Sequence, residues 1–284
     1  MTDQPVPESL DLLRREIDRI DDAIHDLIME RTAIVERVRA AKRNGVILRP
    51  GREAAILRRL LDRHDGHFPK ASVVRIWREI ISALTNFQAP LTLAVYMPER
   101  GAGFLALARD QYGAYTQTQT YASAGQVARA VMDGEASVGI LPVPLLDDDQ
   151  AWWTMLVGSS PDLPRVVARL PFHGPGAGRG DGLEAMAVGK LPLEPTGDDR
   201  TMLAVECSNA LSRAGLRSHL EAVGLGPNHL WDTRENGPDA RIDLIAVEDF
   251  VAADDPRLAA VLERPEGEVA HVHVIGAYAT PYPV

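Results

Sequence analysis

Arg31 and Lys42 stand eleven residues apart in the stretch MERTAIVERVRAAK (29–42). On a helix that spacing is close to three turns, so both fall on nearly one face, roughly 16 Å apart along the axis. Long cationic side chains can lean toward each other over such a span and grip an anion between them. Arg52 and Glu53 follow a proline-containing loop at a helix start, adding a cation and an acceptor. Gln88 ends a later helix and supplies an amide. The set holds cations, one carboxylate and one amide, with no nucleophile, metal cluster or obvious general base. It suits a dianionic small molecule whose reaction needs orientation and charge stabilisation rather than covalent chemistry. Arg14 and Arg52 also have an ordinary use as solvated or salt-bridged helix arginines, and Lys42 as a partner of the helix macrodipole.

Arg31 fits an ordinary use less comfortably. Apolar residues recur at Leu10, Leu13, Ile17, Ile20, Ile24 and Leu27 in steps of three and four, the next step lands on Arg31, and the stripe resumes at Ile34, Val38 and Ala41. A buried, unpaired charge costs several kcal/mol, roughly, and arginine cannot escape by losing its proton. Either an internal carboxylate pairs with Arg31 or something anionic comes to it. Arg14 lies seventeen residues before Arg31, roughly 25 Å away by helical rise. One small anion cannot touch both Arg14 and Lys42 of a single helix. If Arg14 serves the same site, it comes from an antiparallel partner chain.

These side chains need long, well-fixed helices. Residues 8 to 43 read as one helix, from Pro7 to the stop at Asn44-Gly45, too long to stand without a partner. A second helix is expected from Arg52 to His64 and a third from Pro69 to Phe87. Three helices so unequal do not close a bundle, so a dimer sharing the long helices is expected. After Gln88-Ala89-Pro90 the period changes. LTLAVY (91–96), SVGILPV (137–143), RVVARL (165–170) and LEAMAVG (183–189) read as buried strands, with helices over Gly103–Gln111 and Ser123–Asp133, which is an α/β pattern. The loop HGPGAGRGDG (173–182) lacks the Gly-Lys-Ser/Thr ending of a phosphate-binding loop. From Thr201 the order becomes strand (TMLAVE), helix (Asn209–Val223), strand (HLWD), strand (RIDLIAVE), helix (Pro256–Glu263), strand (VAHVHVIG), the βαββαβ order of a ferredoxin-like sandwich.

Composition bounds the function. Net charge is −10 over 284 residues, which argues against nucleic-acid partners. Residues 1 to 90 nearly balance their charges and the remainder is acidic, a weak pointer to a local anion site in the helical part. No apolar run approaches the ~20 residues of a membrane span, and the start has no signal-peptide core. The one cysteine, Cys207, excludes an intrachain disulfide and a cysteine-based metal site. A cytoplasmic location is the default expectation. The acidic run Asp147–Asp149 reads as a solvated turn rather than a cation site.

LRREIDRIDDAIHDLIMERTAIVERVRAAK, then RPGRE, then REIISALTNFQ, together resemble the all-helical chorismate mutases over residues 8 to 90. The resemblance implies an all-α intertwined dimer that converts chorismate to prephenate by a pericyclic rearrangement in aromatic amino-acid biosynthesis, with no cofactor or metal. Residue by residue, it implies that Arg14 reaches into the partner's site and, with Arg31, holds the substrate carboxylates. Lys42 and Gln88 would hydrogen-bond the ether oxygen, Arg52 would support the carboxylate side, and Glu53 would hold the ring hydroxyl. On that reading Arg31 interrupts the stripe because the stripe lines an anion site. Arg49 and Leu84 depart from the family pattern, which often has an acidic residue and a serine there. A change in affinity is expected from them, not a loss of activity.

The domain order resembles the bifunctional chorismate mutase/prephenate dehydratases, giving expected domains 1–90, 91–197 and 198–284. The last is an ACT-like sandwich on RIDLIAVEDF, DDPRLAAVLE and VHVIGAYATPY. Its implied effector residues, for phenylalanine or another aromatic amino acid, are Asn209, Ala210, Leu211, Thr233 and Arg234. An inert dimerising sandwich is an equal reading. In the middle segment the family's Glu-Asn-Ser turn has become Pro144, Leu145 and Leu146, its opening motif survives only as MPERGAGF (97–104), and its Thr-Arg-Phe has at most the inverted counterpart Arg200-Thr201-Met202. Without groups to protonate a leaving hydroxide, a non-catalytic dehydratase remnant is expected. The reading is a dimeric mutase. Its rivals are an active bifunctional enzyme and a non-catalytic aromatic-amino-acid sensor or enzyme partner.

Overall fold

The computed structural model describes residues 9–41, 48–99, 102–146, 148–174, 182–263 and 268–283. The chain forms two compact units, Met1–Gly45 and Val46–Val284. The first is built on one helix, α1 (Leu10–Ala41), with Asp11–Arg14 and Glu16–Arg19 paired at i,i+3 along it. Its apolar stripe is present, yet α1 buries no residue, and Ile17 and Leu27 are 57% and 63% exposed.

In the second unit α2 (Pro50–Asp62) starts on Pro50, whose fixed φ suits a first turn, and α3 (Lys70–Gln88) follows. Leu57 and Leu61 of α2 are fully buried with Phe172, and Val74, Trp77, Ala279 and Tyr282 pack around them. These two helices therefore find a core inside their own unit, a packing that their amphipathic pattern alone did not reveal.

Among the described residues nine strands form one mixed sheet in the order β2-β1-β3-β5-β4-β9-β6-β8-β7. They are β1 (Thr92–Tyr96), β2 (Gln117–Tyr121), β3 (Val138–Pro142), β4 (Arg165–Leu170), β5 (Ala185–Gly189), β6 (Asp199–Ser208), β7 (Pro227–Glu235), β8 (Ala240–Val247) and β9 (Val269–Ala279). The first three pair in parallel, joined by α4 (Gly103–Tyr112) and α5 (Ala124–Met132), and β5 and β4 continue antiparallel. A capping box, Ser123 with Gln126, starts α5. The last six elements, β6, α6 (Arg213–Ala222), β7, β8, α7 (Pro256–Leu262) and β9, build an antiparallel sheet with β7 at its edge. Ser212 caps α6, so the helix begins four residues after the Asn209 start read from the sequence.

The two halves of the sheet join where β4 and β9 pair in parallel at Val166 and Gly276. A Cβ at position 276 would lie 2.4 Å from the Val166 carbonyl oxygen, so only glycine fits this approach. A buried cluster runs through the junction, from Leu141, Trp153 and Val166 to Met202, Leu244 and Tyr278.

Candidate active site

The expected site residues fall on both units. Arg14 and Arg31 project from α1. Arg14 is exposed and pairs with Asp11 at 3.5 Å. Arg31 is half-buried, and its Nη1 is buried with no hydrogen-bond partner among the described residues. Burial pulls its guanidinium below the ordinary arginine range. No described carboxylate pairs with it. Lys42 lies outside the described residues.

In the second unit Arg52 is exposed at the first turn of α2, and Glu53 beside it is buried. Arg78 of α3 donates from Nη1 to Glu53 Oε2 at 2.6 Å. Burial pushes the Glu53 carboxyl up, and the Arg78 charge and hydrogen bond oppose that rise. Gln88 turns back on its own helix, with Nε2 donating to the Leu84 carbonyl at 3.2 Å. Sequence reasoning missed Arg78, because a partner 25 residues away on another helix leaves no local signature. Its basic type on an otherwise apolar helix face was the one available signal. The guanidinium lies over the Phe172 ring and borders a cavity of about 230 Å³ with Arg75, Asp110, Gln111 and His173.

Arg49 has a definite role. It forms a two-point ion pair with Glu194, 2.6 Å at its shortest, which ties the start of α2 to the segment before β6. Arg58 continues the attachment, donating to Thr196 Oγ1 at 2.7 Å and to the carbonyls of Asp198 and Thr280 at 2.5 and 2.9 Å. Leu84 is buried.

The five expected effector residues line neither of two cavities in this half, of about 310 and 460 Å³. Asn209 and Ala210 are exposed in a turn, Leu211 is core, and Thr233 donates to Asp243 Oδ1 at 2.8 Å. Arg234 donates to Asp232 Oδ2 at 2.7 Å and to the Asp148 carbonyl, while Trp153 Nε1 donates to the same Asp232 oxygen. The cavity of about 310 Å³ is lined by Arg213, Leu216, Arg217, His229 and Asp243 among others. Arg200, Thr201 and Met202 are committed to β6, with Thr201 donating to the Asp249 carbonyl at 2.7 Å.

Residues 13–89 match the family described as chorismate mutase type II. This part of the chain is a chorismate mutase domain. The chain is also similar to bifunctional chorismate mutase/prephenate dehydratases. It is 31% identical to that of Stutzerimonas stutzeri over 143 residues, 48% of this chain and 39% of the relative. With that of Neisseria gonorrhoeae it is 31% identical over 140 residues, 49% of this chain and 38% of the relative. The aligned part thus spans about two-fifths of the curated relatives. The crystal structure of prephenate dehydratase in complex with L-Phe from Arthrobacter aurescens aligns at a TM-score of 0.48 and 13% identity, over 67% of this chain and 90% of that one.

Proposed function

We propose that the chain is a chorismate mutase of aromatic amino-acid biosynthesis, working in the cytoplasm as a homodimer of its α1 helices. One observation carries the reading: the residues matched to the mutase family hold Arg31, a half-buried guanidinium with no acceptor among the described residues, on the stripe of a long helix whose apolar side chains are exposed. The rearrangement breaks an ether C–O bond as a C–C bond forms within the same molecule, so no proton or electron passes to the protein. Arg31 and the partner's copy of Arg14 hold the carboxylates, supported by Arg52. Lys42 and Gln88 donate to the ether oxygen as negative charge grows there, Gln88 first swinging away from the Leu84 carbonyl. Preorganised donors of this kind act mainly on the transition state. Glu53 accepts from the ring hydroxyl.

Domains 1–90, 91–197 and 198–284 fit this reading, with the last as an ACT-like, ferredoxin-like sandwich. The antiparallel order β9-β6-β8-β7 supports that assignment. An aromatic amino acid is its proposed effector. The middle segment is proposed to lack dehydratase activity, since Pro144, Leu145 and Leu146 offer no acid and Arg200-Thr201 serve the sheet. The second activity in the relatives' names supports the bifunctional alternative. Purified protein given chorismate, and separately prephenate, decides between them. Prephenate from chorismate with no enzymatic phenylpyruvate is the expected result. Phenylpyruvate at enzymatic rate overturns the loss of the second site, and absence of prephenate overturns the mutase.

A further inference from the structure

Glu53 and Arg78 form an ion pair at 2.6 Å with 7% and 3% of their surfaces exposed. We propose that Arg78 is a positioning residue of the mutase site: it keeps the Glu53 carboxylate charged and fixed through Oε2, so that Oε1 is presented to the substrate hydroxyl. The inference rests on the role given to Glu53 above and adds a residue that the site inventory lacked. A carboxylate this buried needs a counter-charge to stay ionised. The groups that face it are Arg78 from α3 and the Tyr112 phenol from α4, itself pushed up by burial. After β4 the Phe172 ring is approached by the guanidinium of Arg78, at 5.7 Å, and by that of Arg58, at 5.9 Å. Arg78 is thus the counter-charge bonded to Glu53. Among the described residues its buried Nε has no partner and Nη1 is the atom spent on Glu53, so the guanidinium is aimed by that bond.

The test is the pH profile of kcat/KM for chorismate in the full-length protein. Without Arg78 the Glu53 carboxyl rises further, is protonated near neutrality and loses its acceptor character. Wild type should be flat between about pH 6 and 9, whereas Arg78→Gln should fall about tenfold or more at pH 7 and recover as pH rises. Arg78→Lys should restore the flat profile. Arg78→Gln combined with Glu53→Gln should be no slower than Glu53→Gln alone, as expected for residues acting through one another. A uniform loss with the wild-type profile, or additive losses in the double variant, would overturn the proposal. If Arg78→Gln does not fold, Arg78→Met takes its place: a loss at pH 7 that recovers as pH rises supports the proposal, and a uniform loss with the wild-type profile overturns it. Wild type without turnover refutes the mutase reading itself. A turnover that Glu53→Gln leaves intact refutes only the role of this pair.

Discussion

A half-buried guanidinium with no acceptor among the described residues weakens the fold where it sits, and the proposed mutase site gives it an external anion to hold. Removing Arg31 should therefore separate stability from activity. Arg31→Leu is expected to leave thermal stability unchanged or higher, because it deletes a buried donor without a partner. It should lower kcat/KM for chorismate by about 10²-fold or more, the scale of losing one preorganised charge-stabilising donor. Thermal melts and steady-state kinetics on the same preparation check both. Cys207 makes the opposite case, a reactive residue type with no reactivity to use. It is 1% exposed, and burial, with the Asp243 carboxylate at 3.8 Å, pushes its thiol up to about 11. Near neutral pH it should resist a thiol reagent until urea unfolds the chain. Labelling at the native rate of a free thiol would show that the β6–β8 core opens.

At the scale of elements, the attachments of α2 were invisible to pattern reading. Arg49 looked like a departure from a substrate-contacting position, and its use is to bind Glu194, 145 residues later. Period and punctuation can locate a helix, but the partners of its charged face are set by tertiary placement. Where local chemistry dictated the element, the reading came close, as at α7, where Asp255-Pro256 announces the start. β2, QTQTY, has no apolar alternation to reveal it because it is an edge strand with both faces largely wet. The α7 cap also has a pH signature. The hydrogen bond from Arg257, with the backbone N–H of the same residue, holds the Asp255 carboxyl below the ordinary range. A depressed acid stabilises the fold above its unfolded value, about 3.9, and that contribution is lost as pH falls through its lower, folded value. Asp255→Ala should cost about 1 kcal/mol in urea unfolding at pH 7 and markedly less at the lowest pH at which the protein stays folded.

For the whole molecule, the telling contrast is between a continuous nine-stranded sheet with a closed core and a 32-residue helix that buries nothing. The helix was legible from its stripe. The join of the two half-sheets at Gly276 was not, since a lone glycine in a strand does not say which backbone approaches it. A helix this long with Leu10, Ile17, Ile24 and Leu27 exposed offers an apolar face, and in the proposed dimer a second α1 covers it by symmetry. Ile24→Glu should then convert a dimer to a monomer in sedimentation and abolish mutase turnover, while the second unit keeps its thermal transition. The trans placement of Arg14 can be tested apart from assembly. Arg14→Ala and Arg31→Ala should each be inactive alone. In a mixed dimer with trans sites, one site collects both lesions and the other is intact. Random re-pairing makes half of all dimers mixed, so activity should return to about a quarter of wild type. If Arg14 and Arg31 served the same chain's site, every site in the mixture would carry one lesion and no activity would return.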